Sequence, residues 1–538
     1  MSDGKRLNTK ASGIVSAAVM CSRVLGLVRE VLFNSLFGTA AMGLFLIAFR
    51  IPNLLRDLFA EGALSSAFVT VFSQRIEREG EDSAWRLAAK MMTLTAVFMS
   101  GISVLGIVFS GQLVELLASG FSVEDTAFTI LLTQIMYPFI LLVSLAALVM
   151  GMLNSRNIFT MPALASSFFN IGSILGGTLA GWLIDPHFGK NALLGLAVGT
   201  LLGGFLQFAI QLPSLRRAGF CFLPDFRWRD PGIRKILVLM VPSVIAASAV
   251  QINVLINTGF AASLGSDAVT WLNSAFRLMQ LPIGIFGVAI ATVTLPVVSR
   301  IAASEDTSSF GPTLGKALRL TVFLTLPSAV GLWFLAEPII GMIYEHGRFI
   351  AHDTRQTAMA LQLYAIGLAS YSCIKVLSPA FAAINRKWTP MFVGFGSIVL
   401  SASLNYYFMF HLGLGHRGLA LATSLASVFN LLALYFLMLK PAGTLETGRF
   451  LGAIVRCTLG AVCLALVCVG VLSLGRNVFP NPSLWQQAVI VFATIAAAST
   501  AYLVACLVLR VEEVAAAMAF IQAKLSRLRG KLARTSRH

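Results

Sequence analysis

Charged residues are scarce in this sequence. They make up 12% of the 538 residues, whereas hydrophobic residues make up 57%, and the mean hydropathy is +0.83. Soluble domains normally carry about a quarter charged residues, so this composition excludes a soluble globular protein. Apolar runs of about 18 residues or more recur along the chain, and each can span ~30 Å of hydrocarbon. The short alternating segments of a transmembrane barrel are missing. The sequence therefore predicts an all-α polytopic membrane protein.

Motifs of soluble enzymes and metal sites are missing as well. The seven cysteines form no CxxC pair, the six histidines show no ligand spacing, and there is no P-loop, HExxH or GxSxG. We interpret the cysteines as small apolar fillers of membrane helices. No cofactor and no enzymatic chemistry are expected. Because there is no ATP-binding motif, any transport by such a protein would be driven by the membrane potential, a monovalent ion gradient or the substrate gradient.

Hydropathy predicts about 14 transmembrane helices. Their approximate bounds are 12–36, 42–72, 88–111, 127–152, 160–184, 192–213, 236–264, 268–298, 317–341, 356–384, 389–411, 417–439, 451–474 and 484–509.

The distribution of Lys and Arg predicts the orientation of these helices. Of the 40 basic residues, 29 lie in alternate segments beginning with the N-terminus, five lie in the segments between, and six lie within helices. This asymmetry places both termini in the cytoplasm. It also explains the net charge of +17 by topology and contact with anionic lipids rather than by nucleic-acid binding. The basic tail, 511–538, is interpreted as an amphipathic helix on the cytoplasmic leaflet, with an unstructured tail as the alternative.

Three pairs of segments repeat in the same order along the chain. They are Ala48-Phe49-Arg50 with Ala275-Phe276-Arg277 at an offset of 227, Pro162 with Pro390 at 228, and "GLAVGT" from Gly195 with "GLALAT" from Gly418 at 223. The offset covers six helices, an even number, so both copies face the same way. This predicts two pseudo-symmetric six-helix lobes related by an axis along the membrane normal. The predicted domains are an N-terminal lobe (1–225), a C-terminal lobe (226–442), two additional helices (443–510) and the tail (511–538).

Six basic residues lie well inside the predicted helices, away from their ends, where an unpaired charge costs several kcal/mol. They are Arg23, Arg29, Arg50, Arg56, Arg277 and Lys375. The rise per residue places three of the arginines ~10–15 Å from the outer helix ends and the other two ~20 Å down. The upper level would hold Arg29, Arg50 and Arg277, and the lower level Arg23 and Arg56.

The neighbouring acids leave two interpretations of these arginines open. Glu30, Asp57 and Glu61 could neutralise them in structural ion pairs. Three acids cannot neutralise five arginines, however, and guanidinium groups match phosphate oxygens with two hydrogen bonds each. We therefore expect a diphosphate or polyphosphate in a wet central cavity. Lys375 either lines the second lobe or is an isolated cavity lysine.

Several segments together resemble the MurJ (MviN) family, the lipid II flippases of bacterial cell-wall synthesis in the multidrug/oligosaccharidyl-lipid/polysaccharide exporter superfamily. The resemblance runs from about Thr9 to about Lys440. The segments are "SRVLGLVRE", "FRIPNLLRDLFAEGALSSAFVTVFSQ", "FRLMQLPIGIFGVAIATVTLPVVS" and "GLALATSLASVFNLLALYFLM".

This resemblance implies fourteen helices, two lobes and a cationic cavity for a lipid-linked diphosphate sugar. The family's essential positions map onto Ser22, Arg23, Arg29, Arg56 and Arg277, with Glu30 as the acid that follows. Helices 13 and 14 would form a groove for the polyprenyl tail. The implied activity is movement of lipid II from the cytoplasmic to the periplasmic leaflet of the bacterial inner membrane by alternating access, with cell-wall synthesis proteins as further partners.

The sequence also departs from the family pattern. Gly43 stands where an acid is common in helix 2, Phe276 replaces the acid before the helix 8 arginine, and Thr70 stands where proline is usual. Some members bind sodium, but the candidates here, Asn257 and Asn405, have no carboxylates beside them.

Other functions remain open at this stage. An exporter of another polyprenyl-diphosphate glycan and a non-transport scaffold for wall synthesis are the alternatives. A drug exporter would favour acidic cavity residues, the opposite of what is present.

Overall fold

In the computed structural model, residues 9–58, 64–480 and 482–514 are described, and all regular elements among them are helical. The helices are α1 (Thr9–Arg56), α2 (Ser65–Glu79), α3 (Glu81–Val108), α4 (Ser110–Leu117), α5 (Val123–Met136), α6 (Phe139–Ser155), α7 (Thr160–Ile184), α8 (Ala192–Ala209), α9 (Leu212–Arg217), α10 (Pro231–Ala262), α11 (Ser266–Pro282), α12 (Ala289–Ala302), α13 (Phe310–Tyr344), α14 (Ala351–Ala383), α15 (Trp388–Tyr406), α16 (His416–Ala442), α17 (Thr447–Val478) and α18 (Leu484–Val508).

Twelve helices among the described residues are long and apolar enough to cross a membrane, which confirms the predicted class. One of them, Ala17–Arg56, covers predicted helix 1 and the start of predicted helix 2. Its regular geometry is broken at Gly38 (φ 78°, ψ 172°), a conformation open to glycine. Predicted helix 7 corresponds to α10, which contains the shorter apolar stretch Val250–Ala262. Fourteen is thus an approximate count.

Predicted helix 2, at 42–72, is not α-helical throughout its described residues. The α-helical geometry ends at Arg56, Asp57 and Leu58 are π-helical, and α2 begins at Ser65. The proline at position 52 removes one backbone donor, which loosens this stretch.

The chain forms two compact units, the first comprising residues up to Thr270 together with His346–Ile350. Within it, α7 and α8 approach closely because glycines face each other. A Cβ on Gly199 would lie 2.1 Å from the Gly177 nitrogen, and one on Gly195 would lie 2.2 Å from the Gly181 nitrogen. Small residues at such positions let membrane helices pack backbone to backbone.

An ion cluster fixes the segment that leads into α10 against the first unit. Asp230 accepts hydrogen bonds from Arg75 Nη1 (2.7 Å), Lys90 Nζ (2.8 Å) and the Gly232 N–H (2.8 Å). Burial raises the pKa of Asp230, but these hydrogen bonds outweigh it and lower the pKa to about 2. The carboxylate therefore stays ionised at neutral pH and ties α2, α3 and α10 together.

The second unit comprises Trp271–Glu345 and the residues from Ala351 onward. One of its apolar clusters joins α13 to α17 and α18. Phe323, Leu464 and Tyr502 are buried in this cluster, as are Val511 and Val514 beyond α18. The boundaries of the lobes stay a prediction. The tail was predicted as an amphipathic helix, and its residues 515–538 lie outside the described part.

The internal repeat is visible in the packing of each unit. The Phe49 ring lies 5.3 Å from that of Phe139, and the Phe276 ring lies 5.4 Å from that of Tyr364. Ala48 and Ala275, which precede the two phenylalanines, are both fully buried. A π-helical segment follows each motif, at residues 57–58 and at Ile283–Val288. Such segments interrupt the regular helix and are frequent at functional sites.

Candidate functional site

In the first unit, α1 presents its polar residues next to α7. The Arg29 guanidinium carbon lies 5.0 Å from the centre of the Phe169 ring, within the range of a cation–π interaction. The neighbouring Asn170 donates from Nδ2 to the backbone carbonyl of Ser22 at 3.0 Å. Arg29 is half-buried, and Glu30 is buried. Arg23 is exposed.

Three phenylalanine rings connect the surroundings of Arg29 with those of Arg50. Phe49, next to Arg50, contacts Phe139 at 5.3 Å, and Phe139 contacts Phe169 at 5.6 Å. Arg29 and Arg50 thus lie at the two ends of one aromatic row. Arg50 is half-buried, and its Nε is buried without a hydrogen-bond partner among the described residues.

Arg56 is held differently, because it pairs with the acid that follows it. Its Nε and Nη2 donate to Asp57 Oδ1 at 3.2 and 2.9 Å. Asp57 also accepts from Gln251 Nε2 of α10 at 3.2 Å. The structural ion-pair interpretation therefore holds for Arg56 and Asp57. Glu61 lies outside the described residues.

The second unit carries Arg277 and Lys375. Arg277 is half-buried on α11, next to the Phe276 ring that packs on Tyr364. The Lys375 side chain is exposed on α14. The predicted common level of Arg29, Arg50 and Arg277 spans both units and stays a prediction.

The weak sodium candidates gain little support from their surroundings. Asn257 donates from Nδ2 to the carbonyl and side-chain oxygens of Asn253 at 2.9 and 2.8 Å. Asn405 is fully buried. Across the described ranges, no group of three His, Cys, Asp or Glu side chains could hold a metal ion. Each amide offers a neutral oxygen, so the residues present do not fit a charged cation site well.

The structure explains why Gly43 replaces an acid. A Cβ on Gly43 would lie 2.0 Å from the Ser266 carbonyl oxygen, so this position has no room for a side chain. A carboxylate reaches the same stretch of α1 from elsewhere, since Asp267 Oδ1 accepts from Thr39 Oγ1 at 2.5 Å. Thr270 Oγ1 in turn donates to the Thr39 carbonyl at 2.8 Å. Loss of the acid in helix 2 therefore does not leave this region without one.

An apolar cavity lies among α11, the following π-helical segment, α13, α17 and α18 of the second unit. Its volume is about 380 Å³. Its lining includes Pro282, Phe286, Phe323, Pro327, Leu464 and Tyr502. We call this cavity the apolar groove. Because its lining is almost entirely hydrocarbon, it suits an alkyl or isoprenoid chain.

Comparison with known proteins identifies the family. The family model described as lipid II flippase MurJ matches residues 33–508. The chain belongs to the MurJ family. It is 37% identical over 436 residues to the lipid II flippase MurJ of Burkholderia cenocepacia, covering 80% of this chain and 83% of that one. It is 35% identical to the probable lipid II flippase MurJ of Vibrio cholerae, covering 80% and 82%.

Solved structures agree with this family membership. A lipid II flippase MurJ in an inward closed conformation superimposes with a TM-score of 0.74 at 28% identity, covering 92% of this chain and 98% of that one. An inward-facing multidrug resistance MATE transporter of the MOP superfamily gives a TM-score of 0.65 at 15% identity, covering 81% and 98%. The second likeness shows a shared fold alone. A multi-pass protein of the bacterial inner membrane follows from this family and the helices.

Several residues near the family positions were not predicted from the sequence. Asn170 and Phe169 contact the part of α1 that carries Ser22 and Arg29. An asparagine within the apolar run "ASSFFNIGS" is itself a sign of a helix–helix hydrogen bond, since polar groups in membranes seek partners. Gln251, which binds Asp57, gives a similar sign in α10.

Proposed function

We propose that this chain is a lipid II flippase, which moves undecaprenyl-diphosphate-linked peptidoglycan precursor from the cytoplasmic to the periplasmic leaflet. The observation that carries this proposal is the half-buried arginine set of α1. These positions supply positive charge within a membrane-spanning segment, where charge is retained only for a partner or a wet cavity. Family membership supports the same substrate.

The arginines differ in how much charge they can offer a diphosphate. The carboxylate of Asp57 already partly neutralises Arg56. Arg50 keeps a buried Nε that no described residue satisfies. Arg29 lies against the Phe169 ring, which stabilises a cation within the membrane-spanning segment. We infer that Arg29 and Arg50 form the main contacts to the diphosphate, with Ser22, Arg23, Glu30 and Arg277 as the further substrate-binding residues.

The apolar groove would take the polyprenyl tail. The tail lies in hydrocarbon in the bilayer as well as in the groove, so the groove would recognise it by van der Waals contact and by shape. The polar head and the tail would then be recognised by separate surfaces, the arginines and the groove.

The remaining features of the transport cycle belong to the same proposal. Both termini would be cytoplasmic, and the substrate would cross by alternating access of the two lobes, without enzymatic chemistry. The membrane potential or a monovalent ion would provide the driving force. Anionic lipids would contact the basic cytoplasmic segments, and cell-wall synthesis proteins would be further partners.

The test is exposure of lipid II on the outer leaflet of cells whose own flippase has been replaced by this chain. Wild type should restore exposure, and R29A and R50A should abolish it at normal membrane levels. R156Q is the matched control, because Arg156 forms only a surface pair with Glu81 and should leave exposure unchanged. Absence of exposure with well-expressed wild type would contradict the flippase function. Full exposure with both arginine variants would contradict the assignment of the site.

A further inference from the structure

An ion bridge lies next to the apolar groove in the second unit. Arg319 of α13 donates from Nε to Glu513 Oε1 at 2.8 Å and from Nη1 to Glu446 Oε2 at 2.6 Å. The side chains of Arg319 and Glu513 are each only 6% exposed. One guanidinium therefore joins α13 to the residue before α17 and to the segment after α18.

Backbone contacts reinforce the same junction. A Cβ on Gly315 would lie 2.6 Å from the Leu445 carbonyl oxygen, and one on Gly311 would lie 2.0 Å from the Thr444 carbonyl oxygen. The loop between α16 and α17 thus rests directly on α13. Neither glycine has a positive φ, so the backbone conformation does not require glycine at these positions. The close approach of the loop backbone to α13 does.

The bridge is one helical turn from the end of the groove. Four residues separate Arg319 from Phe323, which is ~6 Å along a helix. Phe323 lines the groove, and its carbonyl accepts a hydrogen bond from the Tyr502 hydroxyl at 2.9 Å. On the other side of the bridge, Val511 and Val514 belong to the apolar cluster that contains Phe323 and Tyr502.

The Glu446 carboxylate of the bridge is stabilised in its charged form. The hydrogen bond from Arg319 holds the pKa of Glu446 below its usual range, and Arg449 adds a second ion pair at 2.7 Å. Removing one member of a buried ion pair leaves the charge of the other uncompensated. Loss of Arg319, Glu446 or Glu513 should therefore destabilise the whole contact of α13 with α17 and with the segment after α18.

We propose that Arg319 is a positioning residue for the polyprenyl tail: by bridging Glu446 and Glu513 it fixes α17 and α18 against α13 and thereby sets the width of the apolar groove. This inference rests on the proposed function. Without the bridge, α17 and α18 shift and the groove loses contact with the tail, whereas the arginines of α1 keep their contact with the diphosphate.

The experiment compares two diphosphates that share a head group and differ in chain length. Affinities of the full-length protein in nanodiscs are measured for undecaprenyl diphosphate and for farnesyl diphosphate. Wild type should bind the long chain more tightly. R319Q and E513Q should each reduce this preference by roughly tenfold, since loss of about ten carbon–carbon contacts between the tail and the groove has that effect. R300Q is the matched control, because Arg300 is exposed at the end of α12 and its hydrogen bond to the Pro296 carbonyl lies outside the bridge, so the preference should not change.

The outcomes separate the positioning role from general damage and from the proposed function. If folded R319Q and E513Q keep the wild-type ratio of the two affinities, even with both affinities lowered by the same factor, the inference is overturned and the flippase function stands. Binding of neither diphosphate by wild type would instead contradict the proposed function. If R319Q is recovered only as aggregate, G315A displaces the Leu445 carbonyl without removing a charge and should reduce the preference in the same direction.

Discussion

Replacing Asp230 by asparagine should destabilise the first unit by an amount that depends on pH. The aspartate side chain is only 4% exposed and holds both Arg75 and Lys90. Its pKa is about 2 in the folded protein, against 3.8 for an ordinary aspartate. The difference corresponds to about 2 kcal/mol of stability at neutral pH. Asparagine keeps the shape and one acceptor but removes the charge.

The sign of the pH dependence follows from the lowered pKa. A carboxyl group whose folded pKa is depressed contributes its full stability above the unfolded pKa. That contribution is lost as the pH falls through 3.8 toward the folded value of about 2. About half of the stabilisation should therefore remain near pH 3. The difference in the free energy of unfolding between wild type and D230N should decrease over the same pH range.

The assay is thermal unfolding of the purified protein in detergent at pH 7, 5, 4 and 3. The measured quantity is the fraction of protein that stays monodisperse after heating. E305Q serves as control, since Glu305 is exposed in the segment between α12 and α13. The control should unfold close to wild type at every pH. Equal stability of D230N and wild type at pH 7 would refute the role of the cluster. A gap that stays constant down to pH 3 would refute its electrostatic origin.

Three further substitutions test the packing and the site. G199V should prevent stable folding, because its side chain would collide with the Gly177 backbone; normal yield and melting would contradict the α7–α8 contact. G43D should lower thermal stability for the same steric reason at Ser266, and a gain in stability would show that this contact is not maintained. R50K should retain less lipid II exposure than wild type but more than R50A, because lysine keeps the charge and loses the bidentate geometry; activity equal to wild type would show that charge alone suffices.

The helical class and the repeat could be predicted because both depend on short stretches of sequence, namely apolar runs and repeated motifs. Long apolar runs give membrane helices regardless of their neighbours. The two copies of Ala-Phe-Arg keep the same burial, and Phe49 and Phe276 pack on aromatic rings at corresponding places. The break at Gly38 falls in the gap between predicted helices 1 and 2.

The partners of the charged residues could not be predicted, because they come from helices distant in sequence. Nothing in a single sequence says that Asn170 faces Ser22 or that Gln251 faces Asp57. Arg319 shows the same limit. Its position at the start of the predicted helix 317–341 reveals no partner, whereas the structure buries it between two acids that lie 127 and 194 residues away.

The single break at Gly38 has a mechanical consequence for α1. The helix runs from Thr9 to Arg56, and one residue with non-helical geometry separates its two halves. Because this one residue joins the two halves, a change in its backbone angles reorients one half relative to the other. Arg29 and Arg50 lie on opposite sides of Gly38. A diphosphate that contacts both arginines would therefore fix the angle between the two halves of α1.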